Sequence, residues 1–363
     1  VRLYILLFLM AMVIPPYYSI SPGDLVISPI RGLGILYFLI FVPKLYKESR
    51  YVSNVTSSDI FMSLHCLWVC IAIFYWEGGL RALEAGGIYA VELLGFYAFG
   101  RYVAQNPKDL LLLFKIFVIL VFVSALLAWT ESLTGYNMVY ESLGLPFHRP
   151  ADPRFGLERA SVYMQHPILY GLFISMMMGM AIYRYKKHMW KVVLLFFVAT
   201  FPALSSAPLL SLLVQTSVAI WDQLLKSKAW RWKLAGILAF IFYLLIEIPS
   251  DRSFISILIS VATFNPWSGY YRMLIWEYGI QEVINSPLIG IGFNDWVRPR
   301  WMVSNTVDNF WLLTMMRYGI PALLMILIPI IFSAKKLASR NYFELNFLRA
   351  GWLVSLVGIV IVG

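Results

Sequence analysis

The chain has 363 residues, of which 60% are hydrophobic, 17% aromatic and only 13% charged, and its mean hydropathy is +0.74. So few ionic groups cannot cover the water-facing surface of a folded chain of this length, which excludes a soluble enzyme. The net charge of +10 would indicate nucleic acid as the partner of a soluble protein. In a membrane protein, basic residues are first a signal of topology, so we expect a lipid bilayer and no nucleic acid as the partner.

Long apolar runs separated by proline, glycine and charged residues predict an all-α integral membrane protein, organised as a single polytopic domain over residues 1–363. Since roughly 20 apolar residues are needed to cross the hydrocarbon core, we expect about eleven transmembrane helices. They lie near residues 3–20, 25–43, 58–76, 80–100, 109–129, 166–183, 191–206, 208–225, 233–249, 308–333 and 345–363. The first run lacks the cleavage pattern of a signal peptide, and the last ends without a polar tail, which is compatible with truncation from twelve spans.

Lysine and arginine are distributed unequally between the two sides of the predicted bundle. Threading the spans alternately places every lysine on one side, which the positive-inside rule identifies as cytoplasmic. The opposite side has arginine alone, at Arg149, Arg154, Arg159, Arg252, Arg272, Arg298 and Arg300. Avoidance of positive charge explains the missing lysines but not the remaining arginines, so these are candidates for a function.

Two connections on the arginine side are long, and we refer to them as the first long loop, residues 130–165, and the second long loop, residues 250–307. Loops of this length are usually functional or disordered, and the many aromatic residues of the second argue against disorder. Within it, the apolar residues from Tyr271 to Ile284 have helical spacing. This predicts a short amphipathic helix along the outer surface, capped by Ser268 and stopped at residues 285–287.

Arginines in both loops lie next to turn residues and helix starts. The first long loop holds Arg154 and Arg159, followed by His166, and the second holds Arg272 with Trp276 one turn later. A guanidinium group binds phosphate oxygens with a fixed fork of donors and stays charged at any working pH. A cluster of such groups beside the bilayer suits an anionic lipid head group such as a diphosphate.

Ionisable residues also lie within the apolar runs. Asp308 and Asn309 begin the tenth run, Arg317 follows two to three turns inside it, and Glu92 lies near the middle of the fourth. Charged residues at such depth usually face a bundle interior or a water-filled cavity, and we expect Arg317 to be the partner of Glu92.

Each candidate also has a simpler structural interpretation. Loop arginines can contact anionic lipid or pair with loop carboxylates, and His166 is typical of an ordinary helix start. Asp308 gains from a helix dipole without any catalytic duty, and Trp276 is typical of an interface anchor. Glu92 can form a buried structural ion pair. The chain has no Walker loop, no HExxH motif and no acidic pair of the metal-dependent glycosyltransferase type, so we expect neither a metal nor a cofactor.

The candidate residues lie in short segments that follow one another in a distinct order and spacing. They are Arg159-Ala160-Ser161, then His166-Pro167-Ile168-Leu169-Tyr170-Gly171, then Tyr271-Arg272 with Ile275-Trp276, then Ser286-Pro287-Leu288-Ile289-Gly290-Ile291-Gly292, and finally Asp308-Asn309-Phe310-Trp311 with Tyr318-Gly319-Ile320. In this order the chain resembles the bacterial O-antigen ligase and polysaccharide polymerase family over residues 80–335.

The resemblance implies a metal-independent glycosyltransferase with a GT-C-like fold in the bacterial inner membrane and an active site facing the periplasm. Such enzymes move glycan from undecaprenyl diphosphate to an acceptor glycan, with a chain-length regulator or other polysaccharide assembly proteins as further partners. Arginines that match Arg159 and Arg272 would hold the diphosphate. The other substrate-binding candidates are Arg154, His166, Tyr271, Trp276, Asn309, Arg317 and Glu92.

Ligases of this family typically have His-Asn where this chain has Asp308-Asn309. The difference favours an exopolysaccharide or O-antigen polymerase over a ligase, with Asp308 as the base that accepts the acceptor's proton. The main alternative is a multi-span secondary transporter or a flippase for lipid-linked glycans, because buried charges also suit a transport path. A third interpretation is a structural subunit, in which individual loop arginines are dispensable.

Overall fold

The computed structural model describes residues 1–20, 26–47, 55–146, 151–228, 230–250, 257, 263–264, 266–339 and 346–362. Over these ranges the predicted all-α fold is confirmed, with isolated β-bridges joining Ile20 to Ile27 and Arg154 to Leu157. The helices are α1 (Arg2–Val13), α2 (Pro29–Lys47), α3 (Ser57–Glu77), α4 (Gly79–Ala104), α5 (Pro107–Thr134), α6 (Met138–Ser142), α7 (Pro167–Ser175), α8 (Met178–Arg184), α9 (Met189–Thr200), α10 (Ser206–Leu224), α11 (Arg231–Glu247), α12 (Pro266–Asn285), α13 (Phe310–Ser339) and α14 (Asn346–Val362).

Several of these helices are suited to a bilayer. Five helical stretches of the described residues are long and apolar enough to cross a membrane, namely Ser57–Glu77, Gly79–Ala104, Pro107–Thr134, Pro167–Arg184 (α7 and α8 together) and Phe310–Leu337. Their length and composition indicate a membrane-embedded protein. Each predicted apolar run overlaps at least one helix, but the expected number of about eleven spans and the GT-C-like arrangement go further than this result and stay predictions.

Local chemistry explains where two predicted boundaries differ from the structure. α1 ends at Val13, well before residue 20, because Pro15 and Pro16 follow and proline disfavours continuation of a helix. The amphipathic helix of the second long loop is present as α12 and ends at Asn285 as expected. It begins at Pro266, so the prediction that Ser268 caps it is wrong.

The sixth predicted run is interrupted between α7 and α8. The buried side chain of Gln215, from α10, lies across the interruption. Its Nε2 donates to the carbonyl oxygen of Ser175 at 2.9 Å, and its Oε1 accepts the N–H of Gly179 at 2.8 Å. The amide thereby replaces main-chain hydrogen bonds that the break removes.

α13 is also interrupted, at Gly319, where φ is 83° and ψ is 170°. The segment that follows α12, residues 287–292, packs into the break, and the N–H of Ile291 donates to the carbonyl oxygen of Met316 at 2.7 Å. A Cβ at position 319 would overlap the carbonyl group of Leu288. Only glycine therefore combines this positive φ with so close an approach of two backbones.

Among the described residues, buried apolar side chains form three separate cores. The first core draws on α1, α2, α4, α5, α7 to α10 and α14, and it includes Ala160 and Val162 of the first long loop. The second core joins α12 to the start of α13 and includes Trp296 and Met302 of the second long loop. The third core joins α3 and α4 to α13. The two long loops are therefore packed on different cores.

Candidate functional site

The first long loop turns back on itself at Arg154. The N–H of Arg154 donates to the carbonyl oxygen of Leu157 at 2.9 Å, and the N–H of Leu157 donates in return at 3.0 Å. The two central residues, Phe155 and Gly156, have φ of 56° and 74°. Positive φ at both positions is the signature of a tight two-residue turn. The turn sends the chain back toward α5 and leads directly into Arg159.

Arg154 and Arg159 are both held by the turn that follows α9. The chain forms a short 3₁₀ helix at Phe201–Ala203. Arg154 Nη1 donates to the carbonyl oxygen of Leu204 at 2.9 Å, and Arg159 Nε donates to that of Ala203 at 3.2 Å. Neighbouring carbonyl groups therefore hold the two guanidinium groups near each other without supplying a negative charge.

Arg159 is a buried charge whose donors are not all used. Its side chain is 8% exposed, and its Nη2 finds no hydrogen-bond partner within the described part of the chain. Burial, together with the charges of Arg154 and Arg272, lowers the pKa of Arg159 to about 10, against an opposing effect of Asp152. Buried cations are normally paired with an acceptor or an anion. The Nη2 group of Arg159 therefore remains available to donate to a ligand.

Arg272 completes the group from the second long loop. It lies on α12, and its charge adds to the effect of burial in lowering the pKa of Arg154. We refer to Arg154, Arg159 and Arg272 as the arginine cluster. Its members come from loops that pack on different cores, so the cluster lies where those two parts of the molecule face each other.

His166 and Asp308 lie within electrostatic range of this cluster. Burial and the charges of Arg159 and Arg154 lower the pKa of His166, whereas Asp308 raises it. His166 also caps α7, since its Nδ1 accepts the N–H of Ile168 at 3.2 Å, as the simpler interpretation expected. A neutral imidazole that accepts at Nδ1 carries its proton on Nε2. His166 is therefore a donor toward a ligand rather than a ready base.

Asp308 and Asn309, which precede α13, differ in their surroundings. Asn309 caps the helix, because its Oδ1 accepts the N–H of Leu312 at 2.8 Å. Asp308 lies one residue earlier and its side chain is exposed. The helix terminus favours negative charge at this position, and the exposure leaves the carboxylate accessible from solvent.

Other sequence-predicted residues have contacts away from the arginine cluster. Tyr271 and Trp276 pack against the second core, and the Tyr271 hydroxyl donates to the carbonyl oxygen of Ser304 at 3.4 Å. The guanidinium carbon of Arg317 lies 5.3 Å from the centre of the Phe293 ring. These are packing contacts and one hydrogen bond to the backbone, and none of them is made with a member of the arginine cluster.

The expected pair between Glu92 and Arg317 is wrong. Glu92 lies 2.9 Å from Arg31 Nε of α2. The approach depends on Gly95 of α4, because a Cβ there would overlap the carbonyl oxygen of Gly34. α2 therefore packs closely on α4 and brings Arg31, one turn earlier, to the carboxylate.

The remaining loop arginines are accounted for separately. Arg298 donates to the carbonyl oxygens of Met302 at 2.8 Å and Trp296 at 3.0 Å, so it fixes the fold of the second long loop. Arg300 is exposed. Arg149 and Arg252 lie outside the described residues.

Sequence reasoning missed the groups that hold the segment around Arg159. Glu131, on the last turn of α5, is 2% exposed and accepts the N–H groups of Ser161 and Val162 at 3.0 and 2.8 Å. Ser132 Oγ donates to the carbonyl oxygen of Glu158 at 2.7 Å. The available signal was a carboxylate that follows a long uncharged stretch of α5, which at the end of such a stretch indicates a specific partner.

The arrangement as a whole can bind a polyanion and accept a proton. The arginine cluster offers charge and a free donor, His166 offers a further N–H, and Asp308 offers an exposed carboxylate. In comparisons with known proteins, no protein family matches the chain, and no curated protein matches it significantly.

Proposed function

We propose that the chain is a metal-independent glycosyltransferase that polymerises or transfers oligosaccharide units linked to undecaprenyl diphosphate, on the periplasmic side of the bacterial inner membrane. The observation that carries the proposal is Arg159, a buried cation with an unused N–H in the range that the structure describes, lying among two further arginines. A diphosphate supplies the negative charge and the several acceptor oxygens that such a group requires.

The proposed reaction is a substitution at a sugar carbon. The acceptor hydroxyl oxygen attacks the anomeric carbon, the bond from that carbon to the diphosphate oxygen breaks, and the lipid diphosphate leaves with the electron pair. Negative charge grows on the leaving oxygen, so fixed guanidinium groups stabilise the transition state more than the ground state. The arginine cluster and the Nε2–H of His166 would perform this task.

The acceptor hydroxyl must lose its proton as it attacks. Asp308 is the proposed base because it is exposed. It is also close enough to His166 for its charge to raise the pKa of that imidazole, on which Arg154 and Arg159 act as well. Such a base typically contributes about 10²- to 10⁴-fold to the rate. The neighbouring amide of Asn309 is occupied in capping α13. An aspartate in place of the histidine typical of ligases favours polymerase over ligase activity.

Reconstitution tests the proposal. The full chain in vesicles is given an undecaprenyl-diphosphate-linked oligosaccharide in the presence of EDTA, and the products are separated by size. A ladder supports a polymerase, and a single transfer supports a ligase. Arg159→Met should abolish either product, whereas Arg300→Met, which alters an exposed arginine of the second long loop, should not. Absence of product from the unaltered chain refutes the proposal.

A flippase or secondary transporter is the second candidate, and the interrupted α13 favours it. Discontinuous helices with backbone groups freed at the break often form substrate sites in transporters. The same vesicles distinguish the two activities. A transporter moves the lipid-linked oligosaccharide across the bilayer with its diphosphate bond intact, whereas a transferase releases free lipid diphosphate.

A further inference from the structure

We propose that Glu131 is a positioning residue, which fixes the backbone around Arg159 so that the guanidinium group stays aligned with the arginine cluster. The inference rests on the proposed function, because alignment matters only if the cluster receives an anion. Glu131 lies on α5, and its carboxylate has no place in the substitution chemistry described above.

Both oxygens of the carboxylate are occupied by the segment that carries Arg159. Oε1 accepts the N–H of Ser161 at 3.0 Å and the hydroxyl of the same residue at 3.3 Å. Oε2 accepts the N–H of Val162 at 2.8 Å. Three donors from two adjacent residues therefore converge on one side chain that is 2% exposed.

The backbone at Val162 needs this support. Its φ is 55°, a left-handed conformation that is strongly disfavoured for a β-branched side chain. Glu131 binds the N–H on one side of this residue, and Asn137 Nδ2 donates to its carbonyl oxygen at 2.9 Å on the other. Without the carboxylate the chain would relax toward an ordinary conformation and shift the residues before it.

Arg159 lies between two such anchors. Upstream, Ser132 Oγ donates to the carbonyl oxygen of Glu158 at 2.7 Å, and downstream Glu131 holds Ser161. Anchoring has a purpose here, because the charges of Arg154 and Arg272 repel Arg159 when no anion is present. A backbone that resists this repulsion keeps the donor arrangement ready for a diphosphate, which is preorganisation in the usual sense.

A carboxylate suits this role better than its amide. Ionised glutamate is an acceptor at both oxygens, whereas glutamine has one acceptor oxygen and one NH₂ group that only donates. Since donors approach Glu131 on both oxygens, Glu131→Gln sets the NH₂ group against a backbone N–H in either orientation. The change keeps the size of the side chain and removes its negative charge together with one of its two acceptor oxygens.

The experiment compares Glu131→Gln with Asp59→Asn in the full purified chain. Asp59 is a matched control because its carboxylate also accepts several hydrogen bonds, from Thr56 and Arg101 among others. Arg101 lies in the last turn of α4, next to the start of α5, so this network lies about 36 Å along α5 from Glu131. Thermal stability, affinity for farnesyl diphosphate and hydrogen exchange at Ser161 and Val162 are measured for each.

We expect Glu131→Gln to weaken farnesyl diphosphate binding about tenfold or more, beyond any loss explained by thermal stability. Asp59→Asn should leave affinity unchanged at a similar loss of stability. Equal weakening in both variants would overturn the inference, because it would reduce Glu131 to a contributor to stability. If Glu131→Gln does not fold, Ser161→Ala removes one of the three donors and should show a smaller loss in the same direction, and unchanged affinity would overturn the inference.

A second measurement separates this inference from the proposed function. Phenylglyoxal modifies accessible arginines, and Arg159 should react faster in Glu131→Gln than in the unaltered chain, whether or not a diphosphate binds. Failure of the unaltered chain to bind farnesyl diphosphate counts against the proposed function alone. An unchanged labelling rate of Arg159, with unchanged exchange at Ser161 and Val162, counts against the positioning role alone.

Discussion

Replacement of Arg159 by methionine should stabilise the ligand-free protein and abolish its affinity for diphosphate. Methionine retains an unbranched apolar stem of similar length but carries no charge. If the charge of Arg159 served the fold, the variant protein would be less stable than the parent, because the partners of the charge would be left unpaired. A cation held for a ligand shows the opposite effect, since the folded protein no longer has to bury an uncompensated charge.

The size of the effect follows from the environment of the side chain. With a pKa of about 10, Arg159 holds its proton roughly 300-fold less tightly than an ordinary arginine, which corresponds to about 3 kcal/mol. At pH 7, below the folded and unfolded pKa values alike, the group is charged in both states and the full penalty applies. The lost hydrogen bond to Ala203 offsets about 1 to 2 kcal/mol. The net gain is therefore about 1 to 2 kcal/mol.

Thermal unfolding in detergent, with and without farnesyl diphosphate, measures both quantities. The ligand should raise the Tm of the unaltered chain and leave the Tm of Arg159→Met unchanged, while the ligand-free variant should unfold at a higher temperature. Arg300→Met is the control, because this exposed arginine should alter neither value. A variant that is less stable than the parent and still binds the diphosphate would show that Arg159 is a structural cation, and the argument for an anion site would fail.

Four further changes test other parts of the site and fold. Arg272→Lys keeps the charge but loses the fork, so polymer yield should fall by about tenfold or more, and full activity would remove the bidentate argument. Asp308→Asn should fold normally and lower turnover by about 10²- to 10⁴-fold, and an unchanged product rate would assign the base elsewhere. Gly319→Ala should prevent accumulation of folded protein in membranes, because its Cβ overlaps a backbone carbonyl, whereas Gly236→Ala on α11 meets nothing within 4 Å and should be tolerated. The lowered pKa of His166 means that the unfolded chain binds more protons in acid, so stability should fall as the pH drops through about 6.5. His166→Asn retains a capping side chain and should flatten this pH dependence of Tm; an identical profile would contradict it.

Helix positions followed from the sequence wherever apolar runs were bounded by strong local signals. α12 ends at Asn285, where an Asn-Ser-Pro stop was expected, and α7 begins after the His166 cap at Pro167. The two interruptions were not predictable, because they depend on groups distant in the chain. Gln215 bridges the break between α7 and α8, and the segment 287–292 fills the break in α13. The spacing of apolar residues predicts where a helix lies, but it does not predict which distant group interrupts that helix.

In the candidate site, too, some features followed from the sequence and others depended on contacts between distant segments. Arg154, Arg159 and Arg272 could be selected as a group because loop arginines on a lysine-free side have no topological explanation. Which carboxylate meets which arginine could not be selected. Glu92 pairs with Arg31 because Gly95 lets α4 approach the backbone of α2 at Gly34, and such an approach depends on the packing of helices that are distant in sequence.

The division of the arginine cluster between two separately packed cores affects how a ligand would be released. Arg154 and Arg159 are fastened to the turn after α9, whereas Arg272 moves with α12. A polyanion bound by all three arginines would connect these two parts of the molecule for as long as it stays bound. If the proposed reaction takes place, a small sliding of α12 against the first core after transfer of the sugar would weaken the hold on the lipid diphosphate, with no helix having to unfold.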